Sequence, residues 1–136
     1  MAEVGSIVET RNVIDDGQLG QMREHRFVWT SSADTGAVSG IDSDREINGY
    51  VVLVATIPGA DAAAPNNWYD LTILDGDGLD ILGGEGANRS NTNKEQIVPK
   101  VGGAYGPRYV KGTVQITVAS AGNSNSGTVV LYVSGV

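Results

Sequence analysis

GTVQITVASAGNSNSGTVVLYV (112–133) is the stretch that decides the fold class of this chain. In its first part Val114, Ile116 and Val118 alternate with polar residues, which is the period of a strand with one buried face. The run AGNSNSG (121–127) follows, and the apolar run TVVLYV then returns. A Gly, Asn and Ser run between two strand-like segments favours a β-hairpin. We therefore predict two antiparallel strands joined by a turn over 112–133.

WYDLTILDGDGLDIL (68–82) predicts a second hairpin of the same kind. Tyr69, Leu71 and Ile73 share one side of a strand, and that side is wholly apolar, so it is expected to face the core. The sequence DGDG (75–78) is typical of a tight turn, because Asp-Gly pairs accept the positive φ angles that hairpin turns need. The residues after the turn are expected to form the return strand.

Two further segments outside these hairpins are rich in strand-forming residues. INGYVVLVATIP (47–58) ends at a Pro-Gly stop, and EHRFVWT (24–30) is dominated by β-formers. No segment shows the 3.6-residue period over a usual helix length. The chain is therefore expected to be all-β, an antiparallel β-sandwich or jelly-roll-like barrel of about seven to eight short strands. We place this domain at 24–136.

Residues 1–23 precede the predicted sandwich and contain Val4, Ile7 and Val8 at a spacing that fits neither a regular strand nor a helix. Two interpretations are open. The segment could be an extended arm that adds a strand to the sheet of a neighbouring molecule. It could equally be an ordinary edge strand of its own domain. A turn is expected at DDGQLGQ (15–21), where two glycines lie in a polar run.

Composition narrows the function classes. The chain has 136 residues, which suits one domain, and a net charge of −7 with its nine basic residues scattered. Scattered Lys and Arg argue against binding a phosphate backbone, so no nucleic-acid partner is expected. No apolar run approaches membrane-helix length, and the first residues lack a signal-peptide pattern. The absence of cysteine excludes disulfides and thiol chemistry.

The residues offer little for catalysis or cofactor binding. The only histidine, His25, has no nucleophile motif near it, and a surface or partly buried histidine at a strand start is the simpler interpretation. Asp75, Asp77 and Asp80 form a weak calcium candidate, but they depart from the EF-hand pattern and suit a hairpin turn better. We expect no enzymatic activity and no cofactor.

Aromatic residues are the best candidates for a binding surface. Two tryptophans and three tyrosines could form a flat platform for sugar or protein, although aromatic residues in a small sandwich more often belong to the core: Trp29, Trp68, Tyr69, Tyr105 and Tyr109. The segment from Tyr105 to Tyr109 is the best exposed candidate, because its Gly and Pro disfavour a central strand. Tyr105, Pro107, Arg108 and Tyr109 are therefore predicted partner-binding residues, together with Val4, Ile7 and Val8.

Four stretches of the chain resemble small structural proteins of tailed phages. They are WTSSADTGAVSG (29–40), INGYVVLVATIPG (47–59), NNWYDLTILDGDGLDILGGEGANRS (66–90) and GTVQITVASAGNSNSGTVVLYV (112–133). Proteins of that kind are β-rich, have no catalytic residues, and serve as capsid decoration (cement) proteins or as head–tail and tail parts. The similarity rests on strand and turn patterns, so it transfers no ligand or catalytic residue.

The resemblance implies a decoration protein that binds the major capsid protein across subunit boundaries and acts as a homotrimer on the capsid surface of the virion, after synthesis in the host cytoplasm. A head-completion, tail or baseplate component is the alternative within the same class. A carbohydrate- or receptor-binding module that uses Trp68, Tyr69 and Tyr105 to Tyr109 is the alternative from another class.

Overall fold

The computed structural model describes residues 4–15 and 21–135. The described chain is all-β with antiparallel sheets, as the sequence predicts, and it contains one short 3-10 turn at Asp61–Ala63. Its strands are β1 (Ser6–Asp15), β2 (Gln21–Thr30), β3 (Val38–Asp42), β4 (Gly49–Pro58), β5 (Asp70–Leu74), β6 (Glu95–Ile97), β7 (Lys100–Val101), β8 (Ala104–Tyr105), β9 (Arg108–Val110), β10 (Gln115–Ala119) and β11 (Ser126–Ser134). None of the described residues forms a helix with the length and apolar character to cross a membrane.

The larger sheet has the strand order β1-β2-β11-β4-β6, and β9 also pairs with β4. Its long strands are the predicted ones: β2 extends the segment 24–30, and β4 matches the segment 47–58. A bulge interrupts the register between β11 and β4 at Tyr132 and Val133. Bulges increase local bending and twist, and this sheet curls into a half-barrel.

β1 occupies the edge of the larger sheet. It pairs with β2 over its whole length, from Ser6 opposite Thr30 to Asp15 opposite Gln21. Of the two interpretations of the N-terminal segment, the intramolecular edge strand is the one present in this single chain. The turn predicted at 15–21 lies largely outside the described residues.

The smaller sheet has the order β3-β10-β5, and β7 and β8 form a separate two-stranded ribbon. This topology shows that the hairpin predicted at 112–133 is wrong. Both strands exist, but β10 pairs with β3 and β5, whereas β11 pairs with β2 and β4. The run 121–127 therefore connects two sheets instead of reversing the chain within one.

The hairpin predicted at 68–82 is wrong in its second half. The turn forms, with the amide of Asp75 donating to the carbonyl of Leu79 at 2.9 Å, but the return strand is a single bridge between Leu74 and Asp80. After that bridge the chain turns away because the Asp80 carboxylate accepts the amides of Leu82 (3.1 Å) and Gly84 (2.9 Å). Side-chain acceptors of this kind compete with strand pairing.

The core lies between the two sheets. Leu71 and Ile73 of the smaller sheet, and Tyr69 just before β5, are at most 2% exposed, as their alternation predicts. The larger sheet contributes Trp29, whose ring packs against that of Tyr69 with centroids 5.6 Å apart. The other buried members of the core are Phe27, Val38, Ile47, Val51, Val54, Ile81, Leu82, Ile97, Val110, Val114, Ile116, Val118, Ala121, Val129, Leu131 and Val133. Burial of this apolar surface is the main source of stability.

Candidate functional site

The face of the larger sheet that points away from the core is called the outer face here. Because directly paired residues of antiparallel strands point to the same side, the register assigns its members row by row. The rows are Ser6-Thr30-Ser126, Val8-Val28-Thr128-Ile57, Thr10-Arg26-Val130-Ala55-Gln96, Asn12-Glu24-Tyr132-Leu53 and Met22-Ser134-Tyr50-Tyr109. About half of these side chains are apolar or aromatic.

Val130 shows how the outer face is built. It lies between the core residues Val129 and Leu131 along β11, so its side chain points outward, yet it has no exposed surface. Its cross-strand neighbours are Arg26 and Ala55. The centre of the outer face is therefore already packed among its own side chains, while the margin stays open.

Four large apolar side chains on the margin of the outer face are exposed. Val8 is 65% exposed and Val28 is 46% exposed, and the two are directly paired. At another corner Tyr50 and Tyr109 are also paired, and their rings meet edge to face with centroids 5.2 Å apart. One-sided antiparallel sheets normally alternate between apolar and polar faces. The outer face of this sheet mixes polar and apolar side chains, and its exposed apolar pairs at two corners are a feature of protein-binding surfaces.

Charge is nearly absent from the outer face. In these rows of described residues the charged side chains are Glu24 and Arg26, and these two form an ion pair with each other. The whole chain carries a net charge of −7. The acidic excess therefore lies elsewhere, and charge depletion of this kind is characteristic of the centre of protein interfaces.

The structure divides the predicted residues of the segment 105–109 between two places. Tyr109 belongs to the outer face, whereas Tyr105 is 64% exposed on the β7–β8 ribbon, with the Lys100 ammonium 5.6 Å from its ring centre. Arg108 donates a 2.6 Å hydrogen bond to Asp75 and so joins β9 to the 75–78 turn. Pro107 is exposed between them.

The predicted N-terminal partner residues are likewise divided. Val8 lies on the outer face, but Ile7 points to the other side and packs against the core. Val4 is 53% exposed and its carbonyl accepts the amide of Ser39 at 2.9 Å, next to β3. Val8 alone of the three is therefore part of the candidate surface.

The calcium candidate is not assembled. The Asp75 carboxylate accepts amides of Asp77 and Leu79 and pairs with Arg108, and this ion pair and those amides hold its pKa below the usual range. Asp80 is used by the backbone that follows it. Among the residues the structure describes, no group of three acidic, histidine or cysteine side chains is placed to hold a metal ion.

The sequence suggests that His25 lies on the surface or is partly buried at a strand start. The structure instead places it in the middle of β2 with no exposed surface. Its Nδ1 lies 3.8 Å from an oxygen of Glu9. Burial, and after it the positive charges of Arg23, Arg11 and Arg45, lower its pKa to about 4. The ring is thus neutral at pH 7.

The predicted aromatic platform does not form as one surface. Tyr69 is fully buried, whereas Trp68 is 60% exposed and has a positive φ of 65°. Trp68 precedes β5 and Asp75 follows it, so about 20 Å of extended chain separates Trp68 from the turn that contacts Arg108. Trp68 and Tyr109 therefore lie at opposite ends of β5.

Comparisons with known proteins give no relatives: no family model, no curated protein and no solved structure matches this chain.

Sequence reasoning did not find the outer face. Its members come from β1, β2, β4, β9 and β11, which are far apart in the chain. The available signal was TVVLYV (128–133), a continuous apolar run. Such a run indicates a strand buried on both faces, and Val130 and Tyr132 are the apolar and aromatic residues of β11 on the second face.

Proposed function

We propose that this protein is a non-enzymatic structural protein that attaches to a large protein assembly through its outer face, as a decoration (cement) protein of a tailed-phage capsid. The supporting observation is the outer face itself, a curled sheet surface with exposed Val8, Val28, Tyr50 and Tyr109 and one internally paired charge of each sign. The sequence resemblance given above favours the phage capsid as that assembly.

The physical argument for a protein partner is one of desolvation. Charged side chains are costly to remove from water at an interface, whereas Val and Tyr release apolar surface. Tyr50 and Tyr109 also present rigid rings with hydroxyl groups, and such residues dominate binding energy at many interfaces. A partner with a complementary apolar ridge would bind this face without stripping water from unpaired charges.

The proposed partner is the major capsid protein, contacted across subunit boundaries, with the decoration protein itself as a homotrimer on the capsid surface. The buried position of His25, and the engagement of Asp75 and Asp80 by local amides, are consistent with a protein that works by binding. Binding across boundaries holds neighbouring subunits together, because every bound copy must be released before they separate.

Co-sedimentation with capsid shells tests the proposal. Val28→Lys places a charge in the exposed Val8–Val28 pair of the outer face, and binding should fall by a factor of about 100 if the ammonium is buried against the partner. Val101→Lys is the matched control, because Val101 is 48% exposed, close to the 46% of Val28, and lies on the β7–β8 ribbon. Shells that bind neither wild-type protein nor Val101→Lys, or that bind Val28→Lys equally well, contradict the proposal.

Copy number separates the decoration role from the related head-completion, tail or baseplate roles. A decoration protein is present in hundreds of copies per particle, whereas a connector or tail component is present in tens or fewer. Quantitative mass spectrometry of purified particles, with the major capsid protein as internal reference, measures this number. A ratio near one copy per capsid subunit supports decoration, and a ratio below one in ten favours the connector or tail role.

A further inference from the structure

A polar cluster, called the arginine cluster here, lies on the inner face of the half-barrel, the side opposite the outer face. Its members are His25 and Arg23 on β2, Glu9 and Arg11 on β1, and Arg45 in the loop between β3 and β4. Arg11 is directly paired with His25, and Arg23 is the next residue of β2 on the same side. The register alone therefore places two guanidinium groups beside one imidazole.

The loop that contains Arg45 is held against the cluster by two hydrogen bonds. The amide of Asp44 donates to a Glu9 oxygen at 2.5 Å. Arg23 donates from Nη2 to the carbonyl of Asn48 at 3.0 Å. These two contacts hold the loop beside β1 and β2, and the charge of Arg45 acts on His25.

The buried part of the cluster contains polar atoms that lack partners. Both ring nitrogens of His25, Nε of Arg23 and one carboxylate oxygen of Glu9 are buried and make no hydrogen bond within residues 4–15 and 21–135. The His25 and Glu9 side chains are 0% and 3% exposed. Buried polar groups in folded proteins are nearly always satisfied, and Nε of Arg23 and a ring N–H of His25 are donors that an added acceptor would satisfy.

The sign of the charge indicates which kind of ligand fits. Three guanidinium groups act on the His25 ring, which lies 3.8 Å from the Glu9 carboxylate, while Asp44 and Glu46 flank Arg45 in the exposed loop. The field at the ring is positive although the chain as a whole is strongly negative. Burial and the charge of Arg11 lower the pKa of Arg23, which means that these cations repel one another. An anion with several oxygens relieves this repulsion and accepts the forked N–H groups of arginine.

We propose that the arginine cluster is an oxyanion-binding site, in which Arg11, Arg23 and Arg45 hold a sulfate-, phosphate- or carboxylate-type group above the His25 ring. Arg11 and Arg45 are exposed and Arg23 is half-buried, so the guanidinium groups are accessible to a ligand from solvent. His25 forms the floor of the site. This site is on the opposite side of the larger sheet from the outer face, and it does not depend on the capsid role.

The proposal links ligand binding to the protonation of His25. The free cluster keeps the ring neutral because of burial and because three positive charges face it, from Arg11 on β1, Arg23 on β2 and Arg45 in the loop; Glu9 is the opposing negative charge. The facing residue of β11, Leu131, is apolar. A bound oxyanion cancels part of the positive field, so the His25 pKa rises and anion affinity increases as pH falls.

Because His25 is the only histidine, its ring proton resonances report on the site without ambiguity. The experiment is a pH titration of these resonances by NMR in sodium chloride, repeated in sodium sulfate at the same ionic strength. We expect the His25 pKa to rise from about 4 by about one unit or more in saturating sulfate. An equal pKa in the two salts overturns the proposal.

Variants of the exposed arginines test which residues bind the oxyanion and are not expected to destabilise the fold. Arg11→Gln and Arg45→Gln should each weaken sulfate binding by about tenfold, since each removes a charge-assisted hydrogen bond. Arg26→Gln is the matched control, because Arg26 lies on β2 beside the cluster residues His25 and Arg23 but points to the outer face. Equal weakening by Arg26→Gln would show that general charge, and not the cluster, determines binding.

The variant Glu9→Gln tests whether the cluster binds an anion. Gln keeps an oxygen for the amide of Asp44 but removes the negative charge beside His25. An oxyanion site predicts that sulfate then binds several-fold more tightly. Weaker binding would contradict the proposal.

The source of the oxyanion is distinguished by a second probe. A glutamate-rich peptide at pH 7 presents carboxylates on a protein chain, whereas inorganic sulfate presents a free anion. Peptide-induced shifts of the His25 resonances that Arg11→Gln abolishes identify an acidic protein segment as the ligand. Shifts with sulfate alone identify a small free anion, and shifts with neither overturn the proposal.

Discussion

Gly127 of β11 lies directly against the indole ring of Trp29: a Cβ atom at position 127 would be 2.6 Å from Cζ2 of that ring. The two residues are paired across β2 and β11 in the larger sheet. The Trp29 ring is fully buried and packs on Tyr69, so it has no free space into which to move. The contact between the two sheets thus depends on a residue without a side chain.

Gly127→Ala is expected to lower the free energy of unfolding by about 1–3 kcal/mol, because the added methyl group overpacks a rigid ring. Urea denaturation followed by tryptophan fluorescence measures the change. Gly76→Ala is the control, since nothing lies within 4 Å of a Cβ there and no positive φ is required. That change should leave stability the same or raise it slightly. Similar losses in the two variants would contradict the packing argument.

The buried His25 ring predicts a loss of stability in weak acid. Its pKa is about 4 in the folded protein against 6.5 for a free side chain. The unfolded chain therefore takes up the proton first, and the free energy of unfolding falls as pH drops from 6.5 to 4, by about 3 kcal/mol. Above pH 6.5 the contribution is constant. Urea midpoints at pH 7 and pH 4.5 in chloride measure it.

His25→Phe keeps a ring in the same position without the proton, and it should lack this part of the pH dependence. The remaining dependence comes from carboxylates such as Asp75, whose lowered pKa makes its contribution disappear at still lower pH. If wild-type protein and His25→Phe lose the same free energy between pH 7 and pH 4.5, the His25 ring is not the cause.

The Arg108–Asp75 ion pair is expected to stabilise the 75–78 turn locally. Arg108→Ala removes the 2.6 Å contact that ties β9 to this turn. Because the pair lies near the surface, the expected cost is modest, about 1 kcal/mol. Amide hydrogen exchange should become faster at Gly78 and Leu79, while exchange in β11 stays unchanged. Arg89→Ala serves as the control, since Arg89 bonds to Ala87 and lies at the other end of β5.

The Ser31 side chain is expected to stabilise the connection between the two sheets (121–127). Its hydroxyl contacts the carbonyl of Gly122 at 2.5 Å and accepts the amide of Asn125 at 2.9 Å. Ser31→Ala leaves these buried groups without a partner and should cost about 1–3 kcal/mol. Ser39→Ala, at an exposed position, is the control. Equal thermal midpoints for the two variants would show that the connection is held by its backbone alone.

Local pattern was sufficient to predict the strands and the side chains that each one buries. Tyr69, Leu71 and Ile73 are buried as their alternation requires, and Val114 and Ile116 behave in the same way. Alternation depends only on which side of a strand meets the core, so a single sequence carries it.

Strand pairing was predicted less well, because neighbours in sequence were assumed to be neighbours in a sheet. Between Ala119 and Ser126 the chain crosses from one sheet to the other, and no residue type in 121–127 distinguishes a crossing from a reversal. The arginine cluster was not predicted from the sequence for a related reason. Arg11, Arg23 and Arg45 are scattered in sequence, and the pairing of β1 with β2 brings two of them together.

The position of β11 in the larger sheet has a consequence for biosynthesis. β11 lies between β2 and β4, but it is later in the chain than both. While the ribosome is still adding residues before Ser126, β2 and β4 have no strand between them. The Trp29 side chain is then not covered by β11. The sheet cannot close gradually as the chain emerges. Folding of this domain is therefore expected to begin only after translation of 126–134, so ribosome-bound chains arrested before this point should be sensitive to protease.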